Sequence, residues 1–70
     1  MNRTFVNSSN LLSVGYDPNQ RILEVAFKNG RVYHYFGVPQ SVYEGLMNAS
    51  SHGKYLNDFI KPFYSYQNAG

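Results

Sequence analysis

The chain is 70 residues long, which bounds it to one domain, since chains of this size bury only roughly 60% of the surface their unfolded state exposes. It has no cysteine, which excludes disulfide staples, thiolate metal sites and a cysteine nucleophile, and fits a reducing compartment. Six basic and four acidic side chains leave a net charge of +2, short of a dense basic stripe, and no signal peptide or apolar span is visible, so a soluble, cytoplasmic protein is expected.

Residues 1–7 carry no period and are expected to be a poorly ordered start. The short apolar segment from Leu11 to Tyr16 is a first strand, and Asp17-Pro18-Asn19 is its turn, with Pro presetting the bend and the Asx side chains supporting it. Leu23, Val25 and Phe27 then alternate with Glu24, Ala26 and Lys28, the period of a half-buried strand. Asn29-Gly30 tolerates positive φ, and Arg31 to Phe36 completes a meander.

The register of the second hairpin follows from patterning. A two-residue loop at Asn29-Gly30 sets Val25 against His34 and Leu23 against Phe36. A three-residue loop, Lys28-Asn29-Gly30 with a bulge at Gly30, sets Val25 against Tyr33, Leu23 against Tyr35 and Glu24 against His34. The second arrangement separates apolar from polar side chains, so Tyr33 and Tyr35 are expected on the core face, with Glu24 and His34 outside.

Pro39 suits a first helical position, and Val42, Tyr43, Leu46 and Met47 recur at helical spacing. Ser50 and Ser51 interrupt that pattern and offer a hydroxyl N-cap. Tyr55, Leu56, Phe59 and Ile60 then make a second stripe, ended by Pro62, and Phe63 to Tyr66 read as extended. The expected fold is α+β: a three-stranded antiparallel meander followed by two short helices packed on one face, with the domain over 8–66 and a tail at 67–70. The expected core is Leu23, Val25, Phe27, Tyr33, Tyr35, Tyr43, Leu46, Tyr55, Leu56 and Phe59.

The run Ser13-Val14-Gly15-Tyr16-Asp17, then Leu23-Glu24-Val25 with Phe27 and Gly30, then Val32-Tyr33-His34-Tyr35-Phe36 and Val38-Pro39, resembles the KTSC pattern with its central Tyr-x-Tyr. Tyr43, the stretch Ala49-Ser50-Ser51-His52-Gly53-Lys54-Tyr55-Leu56-Asn57 and Ile60 continue it in the same order, so the likeness covers about Ser8 to Tyr66. The family is named after the C-terminal domain of lysyl-tRNA synthetases. Its members occur as that appendage and as small stand-alone bacterial and phage proteins, and the resemblance implies a binding module for which RNA has been suggested. Family members commonly close with a basic, Tyr-containing tail, whereas here Gln67-Asn68-Ala69-Gly70 carries no cation.

Ser50-Ser51-His52-Gly53-Lys54 is the candidate site, because a helix start presents free N–H groups, Gly53 permits close approach, and His52 and Lys54 add donors toward a phosphate. Asn57 lies one turn on, and Lys28, Arg31, His34 and Lys61 extend the surface. The bland alternative is a Ser-capped turn with solvated cations around it. Tyr33 and Tyr35 are weighed as base-stacking rings and assigned to the core instead.

No His-x-x-x-His spacing, Gly-x-Ser-x-Gly elbow or Gly-rich phosphate loop is present, and His34 and His52 fall on different elements, so no enzyme activity, metal or cofactor is expected. The expected function is RNA binding, to tRNA or a single strand, through the interhelix loop. The alternative is a protein-interaction or regulatory module, a phage or host factor that docks a partner by an exposed sheet edge or aromatic patch; a homodimer through an unblunted sheet edge is a third reading.

Overall fold

The computed structural model describes residues 2–70. Its strands are β1 (Arg3–Phe5), β2 (Leu11–Asp17), β3 (Ile22–Phe27), β4 (Val32–Phe36) and β5 (Tyr66–Asn68), and its helices are α1 (Gln40–Asn48) and α2 (His52–Tyr55). A π-helical turn, Leu56–Ile60, continues α2. The strands form one antiparallel sheet in the order β1-β2-β3-β4-β5. The architecture is α+β as expected, with five strands where three were read.

The two extra strands sit at the edges and account for the undercount. Each is three residues long and exposed throughout, so neither shows the alternation by which a strand is recognised. Of the start expected to be poorly ordered, Met1 lies outside the described residues and Arg3–Phe5 pairs with Ser13, Val14 and Gly15. The expected tail likewise contains Gln67 and Asn68 of β5, paired to His34 and Tyr33. Past β5, Ala69 N–H donates to the Val32 carbonyl at 2.7 Å and Val32 N–H to the Gly70 carbonyl at 3.1 Å.

The β3–β4 hairpin has the register derived from patterning: Val25 opposite Tyr33, Leu23 opposite Tyr35, Glu24 opposite His34. Phe27 N–H donates to the Arg31 carbonyl at 2.8 Å and Gly30 N–H to the Phe27 carbonyl at 3.0 Å, closing a three-residue loop. Gly30 takes φ +92°, the left-handed conformation the bulge requires. At the preceding turn, the Asp17 carboxylate accepts from the N–H groups of Asn19 and Gln20 at 2.9 and 3.2 Å, an Asx turn.

Helix α1 begins at Gln40, so Pro39 is its N-cap in extended conformation rather than its first helical residue. Ser51 caps α2, its hydroxyl accepting from Lys54 N–H at 3.3 Å. The core joins Leu11, Val14, Leu23, Val25, Tyr35 and Val38 of the sheet side to Leu46, Leu56 and Ile60 of the helices. Phe27, Tyr33, Tyr43 and Tyr55 are half-buried against that cluster. Tyr16 belongs with them, its ring stacked on Tyr43 at 4.7 Å and its hydroxyl donating to the Val38 carbonyl at 2.5 Å.

Phe59, expected in the core, is 55% exposed. The cause is the π turn: Lys61 N–H donates to the Leu56 carbonyl at 2.9 Å, a bond spanning five residues that inserts one residue into the turn. Leu56 and Ile60 keep to the core, while Phe59 is carried to the solvent side, where it leans on Tyr55 at 4.9 Å between centroids. No helix is long and apolar enough to cross a membrane among the described residues.

Candidate nucleic-acid interface

The three-residue loop places Lys28 and Arg31 on either side of the β3–β4 turn. Asn29 holds that turn by accepting from Arg31 N–H at 3.0 Å through its side-chain oxygen. Lys28 N–H donates to the Asn10 carbonyl at 2.9 Å, which draws the β1–β2 connection against the hairpin. Lys61, directly after the π turn, reaches the same region, its Nζ 5.8 Å from the centroid of Phe27. The Tyr33 and Phe27 rings meet edge to face at 5.6 Å between centroids, and Arg31 Nη1 lies 3.5 Å from the Tyr33 hydroxyl.

Together these residues wall a groove of about 580 Å³, completed by Ser9, Asn10, Gly53, Leu56 and Asn57. No Asp or Glu lines it. Among the described residues Lys28, Arg31 and Lys61 meet no carboxylate within ion-pair distance. The groove therefore carries an uncompensated positive field beside two aromatic rings, an environment suited to an anion attached to a planar group.

A second groove of about 420 Å³ adjoins the first and shares Ser9, Asn10, Gly53 and Asn57 with it. His52, Lys54 and Asp58 lie along it with serines and asparagines of the β1–β2 connection. Here the basic side chains are engaged. His52 Nδ1 donates to the Leu46 carbonyl at 2.8 Å, closing the end of α1. Lys54 Nζ pairs with Asp58 at 2.7 Å one turn along, and this contact raises the lysine pKa from its ordinary value.

Sequence reasoning thus named residues that the fold does bring together: Lys28, Arg31, Lys61, Gly53 and Asn57 in one groove, His52 and Lys54 in the next. The emphasis differs, because the free cations belong to the hairpin and the π turn rather than to the interhelix loop. His34 stands apart. It faces the opposite side of the sheet, where its Nε2 lies 2.8 Å from Glu24, whose other oxygen takes Arg3 Nε at 2.6 Å. Register pairing aligns Arg3, Gly15, Glu24 and His34 in one row, and Gly15, with no side chain, lets Arg3 reach over it to Glu24. These contacts hold the Glu24 carboxyl below its usual range, the His34 hydrogen bond being the largest cause.

Ser9 and Asn10 were missed as lining residues, as were Phe27 and Tyr33, which were assigned to the core alone. The run Asn7-Ser8-Ser9-Asn10 is the signal that was available: a polar stretch beside an apolar strand. Part of it serves structure, since the Ser8 hydroxyl accepts from the N–H groups of Asn10 and Leu11 at 3.3 Å.

The profile of the KTSC domain matches residues 7–64. The chain belongs to the KTSC family. An uncharacterized protein of Stutzerimonas stutzeri is 47% identical over 62 residues, 89% of this chain and 87% of that one. The lysine-tRNA ligase of Nostoc sp. is 42% identical over 52 residues, which is 74% of this chain and 9% of the ligase. The crystal structure of a KTSC domain protein from Yersinia pestis superposes with a TM-score of 0.92 at 38% identity, covering 99% of this chain and 97% of that one. Everything lining the two grooves of this KTSC domain lies within the matched span, whereas β1 and β5 fall outside it.

Proposed function

We propose that this KTSC domain is a non-enzymatic binding module for RNA, tRNA or an unpaired strand, which seats a backbone phosphate among Lys28, Arg31 and Lys61. The observation that carries the reading is the acid-free groove in which these cations meet no carboxylate and flank the Phe27 and Tyr33 rings. Phosphate contacts supply most of the affinity of such proteins, and rings beside them offer a surface for a base. Likeness to a stretch of lysine-tRNA ligases, proteins named for a tRNA, supports RNA over DNA.

A second reading, a docking surface for a protein partner, is favoured by the exposed rings of Phe59, in the π turn, and Phe63, just after it. Fluorescence anisotropy with labelled tRNA and single-stranded RNA at two salt concentrations separates the two. The RNA reading expects binding at low salt that weakens steeply as salt rises. Absence of binding to either RNA at low salt would replace it with the second.

A further inference from the structure

We infer that the two adjoining grooves act as one track for a single RNA strand, the cationic groove taking a phosphate and the amide-lined groove the neighbouring ribose with its 2′-hydroxyl. This deepens the RNA reading and rests on it. The grooves adjoin along the residues they share, Ser9 and Asn10 of the β1–β2 connection, Gly53 of α2 and Asn57 of the π turn. Their volumes, about 580 and 420 Å³, each exceed the roughly 300 Å³ at which clefts begin to hold a small ligand.

The chemistry changes along the track. In the first groove Lys28, Arg31 and Lys61 act unopposed, so a phosphate is drawn there. In the second, the Lys54 charge is neutralised by Asp58, and what remains are hydroxyls, carboxamides and the His52 ring, whose Nδ1 is held by the Leu46 carbonyl. A carboxamide donates and accepts at once, as a ribose hydroxyl does, and the 2′-hydroxyl is the group by which a protein distinguishes RNA from DNA.

The three amides of the second groove, Asn7, Asn10 and Asn57, are unengaged among the described residues. The side chains of Asn29, Asn48 and Asn68 are engaged by the protein itself, with Arg31 N–H, the Glu44 carbonyl and Gly70 N–H respectively. Asn10 and Asn57 are exposed, and among the described residues their side chains make no hydrogen bond. They are also the amides that both grooves share. A pair of unengaged amides beside a phosphate seat places donors and acceptors where the sugar next to that phosphate lies.

The test uses the full chain with a fluorescein-labelled oligouridylate and an oligodeoxyuridylate of equal length, at one low salt concentration. These probes differ only in the 2′-hydroxyl. The ribose strand is expected to bind tighter by roughly three- to tenfold, the range of one or two net hydrogen bonds. Asn57→Ala is expected to bring the ribose affinity down to that of the deoxyribose strand, and Asn10→Ala, on the β1–β2 connection, to do the same should Asn57→Ala perturb the fold. Equal affinity of the parent chain for both strands, or a ribose preference that survives both substitutions, overturns the track while leaving phosphate binding intact. Failure of both strands to bind overturns the RNA reading itself.

Discussion

The Tyr55 phenol occupies the space that a β-carbon on Gly45 would take: one built there stands 2.8 Å from Tyr55 Cζ and closer still to its oxygen. A glycine inside a nine-residue helix gives up about 1 kcal/mol relative to alanine, and here it admits the ring that joins α1 to α2. Gly45→Ala should therefore destabilise the domain by about 1–3 kcal/mol in urea unfolding, against its helix propensity. Tyr55→Phe removes the atom that clashes most and should recover part of the loss in the double variant. A Gly45→Ala chain as stable as the parent would show that the ring swings aside freely.

The row of Arg3, Glu24 and His34 makes stability depend on acid. Glu24 has a lowered pKa in the folded chain, so between the folded and ordinary values the unfolded chain binds more protons. Its contribution is complete above the ordinary carboxylate value of 4.5 and is lost as pH falls through the lowered one. Glu24→Gln should cost about 1 kcal/mol at neutral pH and flatten the acid limb of stability against pH. Because Arg3 is on β1, hydrogen exchange at Thr4 and Val14, the hydrogen-bonded pair between β1 and β2, should quicken in the same variant.

Tyr35 gives the opposite limb. At 2% exposure its phenol is pushed up to about 12, chiefly by burial, so its neutral form is favoured in the folded chain. Stability from this group is complete below the ordinary value of 10 and is lost as pH rises toward 12. Absorbance titration should show one tyrosine ionising only with unfolding, and Tyr35→Phe should remove that late step. Tyr35→Ala should cost about 3–5 kcal/mol, enough to unfold a domain this small.

The parts of this fold that could be read in advance are those where a side-chain pattern has only one consistent partner. Leu23-Val25 and Tyr33-Tyr35 fix their own register because sliding by one residue places Glu24 and His34 in the core. Arg3–Phe5 and Tyr66–Asn68 offer no such constraint, being short edge strands held by backbone pairing. Phe59 was misplaced for a different reason. Its spacing is correct for an α-helix, and the i→i+5 bond that shifts it is a property of the turn before Pro62, with no periodic signature. At the candidate site, the i,i+4 spacing of Lys54 and Asp58 was legible in the sequence, whereas the meeting of the hairpin cations with Lys61 in one groove depends on tertiary contacts. Of Lys54 and Lys61, Asp58 holds only the first.

His52 was read as a ligand donor, and its Nδ1 instead serves α1. The Leu46 carbonyl at 2.8 Å requires that this nitrogen carry a proton, which fixes the tautomer of the neutral ring. His52→Ala should lower stability by about 1 kcal/mol and speed exchange in the last turn of α1, while RNA affinity, measured well below the unfolding midpoint, falls far less than on removal of Arg31. An affinity loss matching that of Arg31→Ala at unchanged stability would return His52 to the binding surface.

The same distinction between engaged and free cations sets the salt dependence. For a single strand, each phosphate neutralised contributes about 0.7 to the slope of log affinity against log salt, so the one phosphate seated among Lys28, Arg31 and Lys61 accounts for a slope of about −0.7. Replacing all three with glutamine should flatten the line by that amount. Lys54→Ala leaves Asp58 unpaired, which adds a repulsive charge near the strand but removes no phosphate contact, so it should weaken binding modestly at low salt, by a factor that shrinks as salt screens the charge, and flatten the slope by much less than about 0.7. If Lys54→Ala flattens the slope as much as Lys61→Gln does, the phosphate lies over the interhelix loop after all, and the cationic groove beside the hairpin is not its seat.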